Sequence, residues 1–232
     1  MVVQQSGLGS DFLRFLAELA DHNERPWFEA NKSRYESAVR DPFLRLIADL
    51  GPPLEALKPP FVADPSPVGG SMMRIYRDIR FSRDKSPYKT AMAAHFWPAD
   101  GRKEGAPALY VHLAPGQSSF GGGLWRPAPP LARKVRDAIA GQAARWRRVT
   151  AALGKDFKAS GESLKRVPAG YDADSPVADD LKRKDFVIGS KLSDREVASG
   201  GLLDMLLTRC RAAMPYMQFL FEATGRTSRA RR

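Results

Sequence analysis

Four strand-like segments, MRIYRDIRF, TAMAAHFW, ALYVHLA and SSFGGGLW, lie between residues 73 and 125. Only turn-forming stretches separate them, such as Pro98-Ala99-Asp100-Gly101 and Ala114-Pro115-Gly116. Connections this short cannot hold the helical crossover that parallel pairing needs, so the strands are expected to pair antiparallel. Helical periodicity precedes and follows them. The expected fold is α+β, a single domain over residues 10–225, with an antiparallel sheet of about four to five strands between N-terminal and C-terminal helices. Residues 226–232 read as a basic, disordered tail.

The flanking helices are read from their punctuation. Ser10 or Asp11 can cap a first helix carrying Phe12, Phe15, Leu16 and Leu19 at helical spacing. Pro26 suits the first turn of a second, WFEANKSRYESAV. A third starts near Asp41-Pro42 and is expected to stop at Gly51-Pro52-Pro53. The stretch 59–70 reads as loop. Beyond Trp125, RPAPP leads into Leu131, Val135 and Ile139, and a further segment runs through Trp146 and Val149. FVIGSKL (186–192) reads as one more strand, and Ser193 with Glu196 as a capping box. LLDMLLTRC is helical, with a break expected at Pro215.

Charge and cysteine content narrow the function classes. The 232 residues are 43% hydrophobic and 27% charged, as in folded domains rather than disordered chains. No apolar run approaches the length of a membrane span, so no membrane role is expected. The start MVVQQSGLGSDFLRF lacks the basic, apolar and small-residue regions of a secretory signal. With Cys210 as the one cysteine, a reducing, cytoplasmic setting is expected. Four of the net +11 charges belong to tail arginines (Arg226, Arg229, Arg231, Arg232), leaving about +7 on the body, a balance that attracts anions.

The stretch RIYRDIRFSRDKSPYK (74–89) crowds six basic and two acidic side chains into sixteen positions. Strand alternation would set Met73, Ile75, Arg77, Ile79 and Phe81 on one face and Arg74, Tyr76, Asp78 and Arg80 on the other. The first is a core face with Arg77 as intruder, and a guanidinium buried there needs a carboxylate, carbonyl groups or a ligand. The second is a stripe able to hold an anion with bidentate geometry. In ALYVHLA, Leu109, Val111 and Leu113 point one way and Tyr110 and His112 the other. In a shared register these polar faces coincide, bringing His112 and Tyr110 beside Asp78 and Arg80. Gly121-Gly122-Gly123 would let a ligand or another backbone come close. Asp84, Lys85, Tyr88 and Lys89 extend one end of this surface.

The same stretch resembles the signature of the bacterial domain of unknown function 2461 family, roughly R-x-x-R-D-x-R-F followed by D/N-K and Y. The matching residues are Arg74, Arg77, Asp78, Arg80, Phe81, Asp84, Lys85 and Tyr88. NERPWFEANKSRYE, with Asn23, Arg25, Trp27, Phe28, Asn31, Lys32 and Tyr35, is similar to a second family segment. So are GGGLWRP and LKRVPAGYDADSP, the latter with Lys165, Arg166, Pro168, Gly170 and Pro176. Where a histidine often precedes that last proline in the family, this chain has Ser175. The resemblance implies no reaction, and strengthens the case for a ligand site on the charged stretch.

Other chemistries lack their motifs. Gly154-Lys155 has neither the upstream glycine nor the following Ser or Thr of a P-loop, and no G-x-S-x-G is present. His22, His95, His112 and Cys210 show no zinc spacing. Asp78 and Asp84 with Lys85 faintly match metal-dependent nucleases but read better as ion pairs; no metal and no cofactor is expected. The expected ligand is an anionic small molecule bearing phosphate or carboxylate, held by Arg74, Arg77, Arg80, Asp84, Lys85, Tyr88, Lys165 and Arg166. Asp78 or His112 would move a proton. Two alternatives stay open. One is nucleic-acid binding through the tail, LKRV and LKRKD; the other is a structural or partner-binding protein whose Arg/Asp signature is an internal ionic network.

Overall fold

Alternation in ALYVHLA is realised as a sheet with one packed face: Leu109, Val111 and Leu113 are buried, while Tyr110 and His112 are half-buried on the reverse side. In the computed structural model, residues 7–99 and 105–225 are described; the end of the expected turn at Pro98–Gly101 and the tail at 226–232 lie outside them. Among the described residues the sheet has six antiparallel strands. They are β1 (Phe61–Val62), β2 (Met92–Pro98), β3 (Ala108–Leu113), β4 (Ser118–Leu124), β5 (Lys158–Ser160) and β6 (Phe186–Leu192), in the order β1-β2-β3-β4-β6-β5. The register sets Ala93 opposite His112 and His112 opposite Ser119. FVIGSKL is β6, and the strand count exceeds the expected four to five through the short β1 and β5.

MRIYRDIRF is not a strand. The isolated bridge to the sheet, Met72 to Ala94, comes just before it, and its own Tyr76 bridges Tyr88 rather than a strand. β1 occupies the neighbouring stretch of the β2 edge, with Phe61 opposite Pro98 and Val62 opposite Trp97. Without a partner strand the chain leaves the sheet as a loop over residues 77–87, and Phe81, expected in the core, is 95% exposed. Ile75, still beside the sheet, is buried.

The helices cover the packed face. α1 (Ser10–Asp21) buries Phe12, Phe15, Leu16 and Leu19, but its N-cap is Gly9, with no side-chain cap from Ser10 or Asp11. The expected second helix is divided. α2 (Arg25–Ala30) carries Pro26 in its first turn, α3 (Lys32–Tyr35) follows Asn31, and a π-helical turn (Glu36–Arg40) leads into α4 (Asp41–Glu55). α4 runs through Pro52 and Pro53 to Glu55: each proline forfeits one helix hydrogen bond, and the full burial of Leu54 outweighs that loss. α5 (Pro129–Gly141) and α6 (Ala143–Ala152) follow β4, and α7 (Ala178–Leu181) precedes β6. α8 (Asp194–Ala198) carries the complete Ser193–Glu196 capping box. α9 (Leu202–Ala223) continues through Pro215 without a break, since Cys210 and Ala213 before it and Tyr216 and Met217 after it are all buried. None of these helices is long and apolar enough to cross a membrane.

Two close approaches account for the triple glycine. A Cβ on Gly122 would sit 3.0 Å from Met217 Sδ, so α9 packs directly onto β4. Gly123 has φ +135°, and a Cβ there would meet the Phe186 carbonyl of β6 at 2.1 Å.

Candidate functional site

The charged segment is pinned at its start, along its two arms and at Tyr88. The Met73 N–H donates to the Ala93 carbonyl (2.8 Å) and the His95 N–H to the Ser71 carbonyl (3.0 Å), fastening its start to β2. The Lys89 N–H donates to Ile75 (2.8 Å) and the Arg77 N–H to Pro87 (2.9 Å), folding its two arms together. Asn23, in the turn after α1, holds the returning arm through both backbone groups of Tyr88. The Tyr88 ring stacks on Phe28, centroids 4.1 Å apart.

Beyond this stem the loop pairs both of its carboxylates with its own arginines. Arg80 forms a two-pronged pair with Asp78, Nε to Oδ1 at 2.9 Å and Nη2 to Oδ2 at 2.7 Å. Lys85 Nζ donates to the Ile79 carbonyl at 3.0 Å. Asp84 accepts from the Ser86 hydroxyl (2.6 Å) and N–H (2.9 Å), and pairs with Arg77 Nη1. Ser86 first, and then Arg77, hold the Asp84 carboxyl well below the usual carboxylate range. Arg80 lowers that of Asp78 in the same way.

Arg77 differs from its neighbours. Its side chain is 27% exposed, and it gives one terminal nitrogen to Asp84. Among the described residues no acceptor meets its Nε or Nη2. It lines a cleft of about 500 Å³ between the segment and the reverse face of the sheet. The walls are Arg77, Asp84 and Lys89, and Ala93, Tyr110 and His112 form the sheet side. Tyr110 Oη and His112 Nδ1 are 3.3 Å apart. Burial lowers the His112 pKa, so the ring is neutral at neutral pH and offers hydrogen bonds or proton transfer rather than charge. Lys89 Nζ donates to the Arg74 carbonyl (2.9 Å), and burial followed by the Arg74 charge lowers its pKa.

Residues 11–219 match the family model described as a conserved hypothetical protein (DUF2461). The chain belongs to this family. Comparison with curated proteins and with solved structures gives no match. Every residue of the cleft lies within the DUF2461 match, and the signature is what folds into its outer wall.

The structure gathers only part of the expected set in this DUF2461 chain. Arg77, Asp84, Tyr88 and His112 line the cleft, and Arg74 lines a second cleft on the far side of Lys89. Arg80, Lys85 and Asp78 point their charge into the loop and line neither. The Tyr110–His112 surface therefore meets Arg77, the intruder of the supposed core face, rather than Asp78 and Arg80. Lys165 and Arg166 are exposed near the other sheet edge, where Leu164 bonds Lys182 and Ser163 bridges Arg183 beside β6. β3 and β4 stand between that edge and β2. Ser175 begins the turn into α7, its carbonyl accepting from the Ala178 N–H. Sequence reasoning gave Asn23 no role in the site; its place in the second family segment was the available signal. Among the described residues no three His, Cys, Asp or Glu side chains group as metal ligands.

Proposed function

We propose that this DUF2461 protein binds an anionic small molecule, bearing phosphate or carboxylate, in the cleft behind Arg77. The observation that carries this reading is the half-used guanidinium: Arg77 lines the cleft with two nitrogens that meet no acceptor among the described residues, and Lys89 adds a second cation to the same wall. A planar donor set of this kind fits the oxygens of a carboxylate or phosphate. His112, neutral and beside the Tyr110 hydroxyl, is the group suited to exchange a proton with a bound ligand. Asp78, tied to Arg80 outside the cleft, is not.

A thermal-shift screen of sugar phosphates and carboxylates, compounds without a nucleotide base, tests this reading. Stabilisation by at least one such anion, absent with its uncharged analogue, supports it; no stabilisation by any of them overturns it. A second reading, the ionic frame, draws on the Arg80–Asp78 and Lys85–Ile79 contacts, which serve only the shape of the loop.

A further inference from the structure

A second, larger cleft of about 720 Å³ lies on the other side of Lys89, and its chemistry differs from the first. Its lining includes the rings of Tyr76 and Trp97 together with Lys32 and Arg74. Tyr76 is 48% exposed although it sits in the middle of the signature. Lys32 and Arg74 are exposed, and among the described residues neither side chain meets a carboxylate. Arg40, also in the lining, is by contrast satisfied by Glu36 (2.7 Å) and Asp41 (2.8 Å).

The interior wall supplies an independent observation. Tyr35 is only 7% exposed, yet its hydroxyl has no hydrogen-bond partner among the described residues. Nor is that oxygen sealed away, since among the described residues the one fully enclosed side-chain polar atom without a partner is Trp146 Nε1. A nearly buried phenol that borders a cleft and has no acceptor among the described residues leaves a hydrogen-bond donor at the cleft wall. Burial pushes its pKa up to about 12, so the proton stays on at neutral pH.

We propose that this second cleft binds a phosphate-bearing planar ring of the nucleotide class, with the ring against Tyr76 and Trp97 and the phosphate on Lys32 and Arg74. Aromatic walls accept any planar heterocycle face to face, and two unpartnered cations beside them select for attached negative charge. The volume suits a ligand of that size. The inference rests on Tyr35, Lys32 and Arg74, and stands apart from the cleft behind Arg77.

Calorimetric titration of the whole chain with adenosine monophosphate, adenosine and inorganic phosphate tests it. The nucleotide is expected to bind at least about tenfold more tightly than either fragment, and Arg74→Ala or Lys32→Ala each to weaken it about tenfold, the scale of one lost charge-assisted contact. Both substitutions are at exposed positions, so the fold survives them; Trp97→Leu is the companion variant for the ring. Arg77→Ala is expected to leave nucleotide affinity unchanged. The proposal is overturned if the nucleotide binds no better than phosphate. It is equally overturned if Arg77→Ala rather than Arg74→Ala removes binding, a result that would put the anion in the first cleft and leave the reading of that cleft intact.

Discussion

Asn23 holds Tyr88 by both of its backbone groups: Nδ2 donates to the Tyr88 carbonyl at 3.0 Å, and Oδ1 accepts from the Tyr88 N–H at 3.0 Å. An asparagine side chain placed this way imitates a neighbouring strand, pairing donor and acceptor as a sheet would. It substitutes for the strand partner that the charged segment lacks. Sixty-five residues separate the two, so the short connection after α1 sets where the wall of the first cleft stands.

Asn23→Ala is therefore expected to cost about 2 kcal/mol, two hydrogen bonds of ordinary strength, and to increase amide exchange at Tyr88 and Lys89 ahead of the rest of the sheet. Unchanged stability together with unchanged exchange at Tyr88 would show that the segment is held elsewhere.

His112 makes stability depend on pH in a defined direction. Its folded pKa lies below the ordinary histidine value of about 6.5, so the folded state binds fewer protons than the unfolded chain. The contribution is fully present above that value and is lost as pH falls through the folded pKa. Denaturant melts of wild type and His112→Asn should differ in slope on the acid side of pH ~6.5, with the wild type steeper. Parallel curves would refute the assignment.

Gly123→Ala should be severe. The backbone at φ +135° disfavours any side chain, and the added carbon would lie 2.1 Å from the Phe186 carbonyl. A loss of about 3 kcal/mol or more is expected from strain and the forced separation of β4 from β6. Gly141→Ala, at the end of α5 where a Cβ meets nothing within 4 Å, is the control and should be near neutral.

Cys210 is buried in α9, and burial pushes its thiol up to about 12. The native protein should react with a thiol-specific reagent only as fast as it opens, while the denatured protein reacts at once. Rapid labelling under native conditions would contradict the packing of α9.

How much of this was legible in the residues depends on whether the cause was local. β3 and β6 follow from alternation alone, and the Ser193–Glu196 box from four adjacent residues. Pro52, Pro53 and Pro215 misled because tertiary packing around Leu54 and Met217 outweighs a few lost helix bonds. The charged segment misled more deeply. Its alternation was real at Ile75, but strand formation needs a partner edge, and β1 and Asn23 had taken the two roles available.

The site followed the same division. Arg77 stood out as the residue at odds with its alternation and His112 as part of the polar face of β3, and both border the cleft. Lys165 and Arg166 share a family segment but not a place in the cleft, because β6 pairs with β4 and leaves them at the opposite edge of the sheet. That insertion is a matter of topology, which spacing does not encode. Arg80 and Asp78, two residues apart, satisfy each other on the surface, a pairing that composition alone presents as a binding stripe.

The most direct measurement is a calorimetric titration of wild type, Arg77→Ala and Arg80→Ala with the sugar phosphate or carboxylate, not a nucleotide, that most raises the wild-type Tm. The cleft predicts that Arg77→Ala, with a Tm only slightly lowered because its Asp84 partner is exposed, loses binding, whereas Arg80→Ala retains wild-type affinity. Equal loss in both variants, or binding that survives Arg77→Ala, would contradict a site built on the half-used guanidinium.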